Sequence, residues 1–140
     1  MTLLVDAGAV FAQADRDDPA HAGVAAVLRS ERGELVISQI AMAEADYLVM
    51  TRLGVDAELG LLADLAAGTF VAECLTRPEL AAARDVVRQY RDLAVGLADA
   101  SLVVLAARYR TRRLCTTDER CFRAMTPLQG GSFTLLPADG

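Results

Sequence analysis

Hydrophobic residues along the chain fall into short runs that are separated by longer segments of mixed polarity. A short, continuous apolar run is typical of a strand that is buried on both faces of a parallel sheet. The clearest run is Leu3-Leu4-Val5, which opens the chain and ends abruptly at Asp6. The pattern predicts strands at residues 3–5, 34–37, 70–74, 114–116 and 133–136, the last of them an edge strand.

The segments between these runs have the end signals of helices. Ser38 is suited to cap a helix over residues 40–53, and Gly54 is suited to end it. Thr76 and Glu79 have the spacing of a capping box. Strands that alternate with helices predict one α/β domain over residues 1–140, in which helices cover both faces of a mostly parallel sheet of four to five strands. Further helices are predicted at residues 7–14, 19–30, 56–67, 77–90, 97–108 and just after residue 118.

Composition narrows the class of protein without choosing a function. The chain is 54% hydrophobic and 24% charged, as is typical of globular proteins. Its net charge of −5 argues against a nucleic-acid partner, although all 14 basic residues are arginines, whose side chains bind phosphate well. A GC-rich genome explains this arginine bias better than a nucleic-acid partner does. The lack of lysine excludes P-loop NTPases and argues against the receiver and haloacid-dehalogenase-like phosphotransfer folds.

Targeting signals and cysteine spacing exclude further classes. No apolar run approaches the roughly 20 residues that span a membrane. The apolar N-terminus resembles a signal peptide, but no basic residue precedes it and Asp6 interrupts it, so we expect a cytoplasmic protein with no membrane partner. The three cysteines form no C-x-x-C pair and are expected to be reduced. His21, the only histidine, leaves little basis for a zinc site or for histidine-based catalysis.

Three aspartates have positions that matter more together than singly. Asp6 and Asp118 follow predicted strands, and Asp99 lies in the first turn of a helix that is apolar nearly all round. Each of them alone is most simply explained as a helix cap or first-turn acid. Because the carboxyl ends of parallel strands meet at one edge of a sheet, however, the acids are expected to share a pocket, where they repel until a cation enters. Oxygen ligands favour Mg²⁺ or Mn²⁺, which can activate water against a phosphodiester.

A fourth acid is harder to choose. Glu44 lies on the predicted helix face of Ile40 and Leu48, and Asp46 lies comparably on the face of Met42. Periodicity alone therefore leaves both acids open as members of the cluster.

Four stretches of the chain form one pattern, at residues 4–8, 37–38 with 43–45, 92–93 with 96–101, and 116–122. Together they resemble the PIN-domain family and, within it, the VapC-type toxins of bacterial type II toxin–antitoxin pairs. The resemblance implies a PIN-like three-layer α/β/α sandwich with an endoribonuclease site formed by Asp6, Glu44, Asp99 and Asp118. It also implies bound Mg²⁺ or Mn²⁺, a homodimer and a cognate antitoxin, and it makes Thr117 a lesser site candidate.

Two positions depart from the family pattern. Cys121 stands where a polar residue or histidine is common, and we expect this change to affect packing more than chemistry. Ala94 stands where proline is common, and we expect it to loosen the loop before residue 97 without removing the site. Both departures lie close in sequence to the acids that the resemblance assigns.

We therefore expect a metal-dependent endoribonuclease that hydrolyses RNA phosphodiesters with a metal-activated water. The three aspartates would bind the ion, and Glu44 would complete the shell or orient the water. The apolar helix over residues 56–67 is a candidate subunit contact. One alternative is a PIN-like module that binds RNA or an antitoxin without turnover, and another is a structural domain whose acids are caps. The candidate RNA-backbone contacts, or equally solubilising charges, are Arg112, Arg113, Arg120 and Arg123.

Overall fold

A computed structural model describes residues 1–140 and contains a five-stranded sheet with helices between the strands. Every pair of neighbouring strands is parallel, in the order β3-β2-β1-β4-β5. The strands are β1 Leu3–Val5, β2 Leu35–Ser38, β3 Val71–Glu73, β4 Arg113–Cys115 and β5 Thr134–Leu136. The helices are α1 Ala7–Ala14, α2 His21–Ser30, α3 Gln39–Leu53, α4 Val55–Ala66, α5 Arg77–Gln89, α6 Leu97–Tyr109 and α7 Glu119–Ala124, with a 3₁₀ turn at Arg91–Leu93.

The first strand is the centre of this sheet. Leu3, Leu4 and Val5 point alternately to opposite faces, and none is more than 1% exposed, so both faces of β1 are covered. Burial on both faces is what an apolar run without alternation predicts. The expected α/β class with a central parallel sheet is confirmed, and the predicted fifth strand is indeed an edge strand.

Local end signals account for most helix boundaries. The Ser38 hydroxyl accepts a hydrogen bond from the main-chain N–H of the third residue of α3, and Gly54 ends that helix with a φ of 98°. Thr76 and Glu79 form both bonds of the expected capping box. The second helix begins at His21, two residues later than predicted, because residues 15–20 close into turns in which Asp18 accepts from the main chain.

The strand order reverses between β1 and β4. From β1 the chain builds outward through β2 and β3, then returns to the other side of β1 to place β4 and β5. Ligands of open α/β sheets bind in the crevice at such a reversal, beyond the carboxyl ends of the strands. Asp6 follows β1 directly and Asp118 lies three residues after β4, so both flank this crevice. No helix of the chain is both long enough and apolar enough to cross a membrane.

Candidate functional site

Asp6 is the most buried acid of the chain and is only 3% exposed. Its carboxylate caps α1 by accepting from the N–H of Ala9 at 2.7 Å, and it also accepts from the Thr116 hydroxyl. Burial raises the pKa of Asp6 to about 7, and the charges of Asp99 and Asp118 add to this effect, while the two hydrogen bonds oppose it. The acid is therefore held rigidly, at an electrostatic cost that a cation would remove.

Thr116 connects the two acids that follow β1 and β4. Its hydroxyl donates to Asp6 and accepts from the N–H of Asp118 at 2.9 Å. Asp118 in turn caps α7 by accepting from the N–H of Cys121 at 3.2 Å, while its side chain stays exposed to solvent. The cap explanation of Asp6 and Asp118 is thus correct for both residues, and it coexists with their convergence at one edge.

Asp99 approaches from the first turn of α6 and is partly buried. Burial, followed by the charges of Glu44 and then Asp118, raises the pKa of Asp99 to about 6. The Cys121 thiol lies 3.9 Å from a carboxylate oxygen of Asp99 and donates a weak hydrogen bond to it. The cysteine therefore touches the acidic cluster, although we expect from its departure from the family pattern an effect on packing more than on chemistry.

The fold separates the two acids that periodicity left open. Glu44 is exposed on α3 and close enough to Asp99 that its charge is the second largest cause of the raised pKa there. Asp46 instead lies in the groove between α3 and α4, where its carboxylate raises the pKa of Glu58. One oxygen of Asp46 is buried there without a hydrogen-bond partner. Of these two acids, Glu44 is therefore the one whose charge acts on Asp99.

A cavity of about 340 Å³ opens beside the acids. One carboxylate oxygen each from Asp99 and Asp118 and the Cys121 sulfur all lie within 4.8 Å of one another. Oxygen ligands at roughly 2.1 Å from a Mg²⁺ ion are roughly 3 Å apart in adjacent positions and roughly 4.2 Å apart in opposite ones, so the three side chains would have to move closer together to share one cation. The donor set fits a divalent metal. The cavity is lined by Asp92, Leu93, Ala94, Asp99, Asp118, Arg120 and Cys121.

The loop that precedes α6 has a backbone that proline could not adopt. Ala94 has a φ of 52° in the left-handed region, whereas proline fixes φ near −65°. The loop contains the 3₁₀ turn Arg91–Leu93. The main-chain N–H of Ala94 closes this turn by donating to the carbonyl oxygen of Arg91. The loop therefore forms one wall of the cavity in a conformation that excludes proline at residue 94.

Several residues that sequence reasoning did not assign to the site support it. The hydroxyls of Ser38 and Ser101 lie 2.6 Å apart and are fully buried, and they join the start of α3 to the second turn of α6. Ser101 donates to the main-chain oxygen of Ala98, so Ser38 is the donor between the two serines. This pair ties the helix of Glu44 to the helix of Asp99 and so fixes their separation.

Thr117, the lesser candidate, lies beside the first turn of α1. A Cβ atom at Gly8 would come within 2.5 Å of the Thr117 hydroxyl and 3.6 Å of the Asp6 carboxylate. Glycine at this position therefore permits the close approach of α1 to the residues after β4. The hydroxyl that bonds the acids is that of Thr116, which the sequence analysis did not single out. Its T-x-D spacing, typical of a threonine that accepts from the N–H two residues on, is a signal that could have identified it.

Comparison with known proteins gives a consistent family. The family model described as PIN domain matches residues 3–126. Ribonuclease VapC26 of Mycobacterium tuberculosis is 44% identical over 135 residues, which cover 96% of this chain and all of that protein.

Solved structures share the fold at low sequence identity. The M. tuberculosis toxin VapC20, described as cleaving the sarcin–ricin loop, superposes with a TM-score of 0.74 and 16% identity, covering 80% of this chain and 86% of the toxin. A toxin–antitoxin complex from Klebsiella pneumoniae gives a TM-score of 0.65 at 17% identity, covering 88% and 92%.

Proposed function

The chain belongs to the PIN-domain family and is a VapC-type ribonuclease toxin, and from this premise we propose that it cuts RNA with Mg²⁺ or Mn²⁺ held by Asp6, Glu44, Asp99 and Asp118. The observation that carries the proposal is the convergence of these acids at the β1/β4 crevice. Two of them, Asp6 and Asp99, have raised pKa values there, and no basic side chain pairs with any of the four. Such a cluster is costly unless a cation shares it.

The side chains have different roles in this proposal. Asp99 and Asp118 reach the cavity directly and offer oxygens to the metal. Asp6 has both oxygens in hydrogen bonds, and since each oxygen keeps a second lone pair, it can bind the ion directly or through a water. Glu44, exposed at the rim, is suited to orient a water or to accept its proton. A bound divalent cation would supply Lewis-acid stabilisation of the phosphodiester and activation of the attacking water.

The proposal extends to partners and compartment. VapC26 is named a ribonuclease and one structural neighbour is a toxin–antitoxin complex, which supports an RNA substrate and a cognate antitoxin for this chain. We place this activity in the cytoplasm, where a toxin of this kind would meet RNA. A homodimer is supported by the apolar outer face of α4, where Leu59 is 57% and Leu62 is 43% exposed.

Replacement of Asp6 by asparagine tests the proposed chemistry. The Asp6→Asn variant keeps the size of the side chain but loses the charge that binds the cation, so metal-dependent RNA cleavage should fall on the order of a thousandfold. Asp46→Asn is the matched control, because it removes a carboxylate from the same protein outside the cluster and should retain cleavage.

RNA cleavage would be followed by mapping new RNA ends after induced expression and by assay of purified protein with Mn²⁺ or EDTA. Far-UV circular dichroism would establish that both variants fold. Full activity of Asp6→Asn would refute the assigned site, and RNA binding without cleavage by the parent chain would favour a non-catalytic module.

A further inference from the structure

Three of the four arginines near β4 and α7 are held by partners within the chain. Arg112 donates to two main-chain oxygens beyond α7, at 2.7 and 3.2 Å. Arg113 pairs with Glu31 at 2.7 Å, and Arg123 pairs with Asp139 at 2.6 Å. Their guanidinium groups therefore already have hydrogen-bond acceptors, and a new ligand would have to compete for them.

Arg120 differs from these three in both place and partners. It lies on the first turn of α7 and lines the same cavity as Asp99 and Asp118, yet it forms no ion pair with either. The residues three and four positions away on either side of it carry no carboxylate, so its own helix offers no partner either. Arg120 is exposed, and its five N–H donors are free.

Because Arg120 is unpaired, the carboxylates of the cavity remain free for a cation and the guanidinium remains free for an anion. If Arg120 were paired with Asp99 or Asp118, it would compete with a cation for their oxygens. Left unpaired, it adds a second positive group beside the metal position in a protein whose net charge is −5. Its planar fork matches the oxygens of a phosphate, which an RNA strand brings into the cavity at every nucleotide.

We propose that Arg120 binds a backbone phosphate of the RNA strand in the acidic cavity and thereby positions the strand for cleavage. The inference rests on the proposed ribonuclease function and adds to it the residue that contacts the substrate backbone. A contact to a phosphate does not depend on the identity of the base. Its loss should therefore weaken the binding of RNA of any sequence by a similar factor.

The test compares Arg120→Gln with Arg32→Gln, each in the Asp6→Asn background so that the RNA stays intact. Arg32 is exposed and unpaired like Arg120. It precedes β2, however, and so lies at the amino-terminal ends of the strands, away from the carboxyl ends where the acids meet. Binding of a fluorescein-labelled, mixed-sequence single-stranded RNA would be measured by anisotropy in Mg²⁺ over a series of salt concentrations.

We expect Arg120→Gln to bind the RNA about tenfold more weakly and to lower the slope of log K against log salt by about 0.7, the value of one phosphate contact to a single strand. Arg32→Gln should bind like the parent. With Asp6 intact, Arg120→Gln should raise KM for cleavage about tenfold and change kcat much less, since the contact exists in both the bound and the reacting complex.

Arg120→Lys guards against an effect of folding alone. The lysine keeps the charge but loses the fork, so the salt slope should return to the parent value while affinity recovers only in part. An unchanged affinity of Arg120→Gln, an equal loss in Arg32→Gln, or a lysine variant with the slope of the glutamine variant would overturn the assignment. If cleavage persists in Asp6→Asn itself, the proposed function fails instead, and the two failures are thereby distinguished.

Discussion

In the last turn of α6, Arg108 donates to Glu79 at 2.6 and 2.9 Å and to Glu73 at 2.5 Å, whereas in the first turn Asp99 lies near Glu44 and Asp118 with no arginine bonded to it. The pKa values move in opposite directions at the two ends. Hydrogen bonding to Arg108 lowers the pKa of Glu79 to about 2, and burial raises that of Asp99 to about 6. At one end of α6 a carboxylate is paired with an arginine, and at the other end a carboxylate has no cationic partner.

The difference is not one of available cations, because the chain has 14 arginines and one of them lines the acidic cavity unpaired. Paired carboxylates such as Glu79 stabilise the folded protein at neutral pH, and crowded ones such as Asp99 destabilise it. The fold places an arginine beside the carboxylates at the C-terminal end of α6 and none in an ion pair with Asp99 at its N-terminal end. The acids near Asp99 therefore stay free to bind a cation from solution.

The largest expected effect is a pH-dependent stabilisation by metal. Since the folded pKa values of Asp6 and Asp99 lie above their ordinary value of 3.8, the folded protein binds more protons than the unfolded chain between about pH 4 and 7, and its metal-free stability falls as pH rises through that range. A cation replaces those protons, so Mn²⁺ at one hundred times its Kd should add about 2.7 kcal/mol at about pH 7.5 and much less at about pH 4.5.

Thermal unfolding with Mn²⁺ or EDTA at the two pH values would measure this effect. The Asp6→Asn variant serves as the control, because its metal-induced shift should be small at both pH values. Equal stabilisation by Mn²⁺ at both pH values would show that the metal binds elsewhere than at the crowded acids.

How far this contrast could be foreseen from the sequence depends on the residue. Asp6 and Asp118 were placed at one edge correctly, because apolar runs identify parallel strands and the carboxyl ends of such strands coincide. Periodicity does not separate Glu44 from Asp46, because both have apolar neighbours at helical spacing, and only the family resemblance chooses Glu44. The position of α4, which covers Asp46, depends on packing between helices that no local pattern encodes.

The supporting bonds were less accessible to sequence reasoning. Ser38 was identified as a cap, but its bond to Ser101 joins residues 63 positions apart and depends on the approach of α6 to β2. The contact of Cys121 with Asp99 likewise depends on where α7 meets α6. Sequence patterns thus identified the strands and their terminal acids, while the bonds that set distances between helices required the tertiary structure.

A smaller effect is expected when the Cys121 thiol is removed, and it concerns which metal ions the site binds. Because sulfur prefers thiophilic ions, Cys121→Ser should weaken Zn²⁺ or Cd²⁺ binding about tenfold and leave Mg²⁺ affinity within about twofold. A sulfur-to-metal charge-transfer band with Co²⁺ should be present in the parent and absent in the variant, and the thiol proton is released on binding. Cys74→Ser, which alters an exposed thiol outside the cavity, is the control. An unchanged Co²⁺ spectrum in Cys121→Ser would exclude the sulfur as a ligand.

The smallest effect tests the two ends of α6 directly. At about pH 7.5 without metal, Glu79→Gln should lose about 1 kcal/mol of unfolding free energy, and Asp99→Asn should gain about as much, after allowance for solvent screening. The deficit of Glu79→Gln should shrink as pH falls from 4.5 toward 2, because protonation of Glu79 weakens the ion pair in the parent as well.

Urea unfolding gives these free energies, and RNA cleavage supplies the second readout. Glu79→Gln should cleave normally because its carboxylate lies outside the cavity, whereas Asp99→Asn should be inactive despite its higher stability. Two variants that changed stability with the same sign would contradict the contrast between the ends of the helix. An Asp99→Asn variant that is more stable and inactive would identify the crowding of these acids as a cost that the fold retains for catalysis.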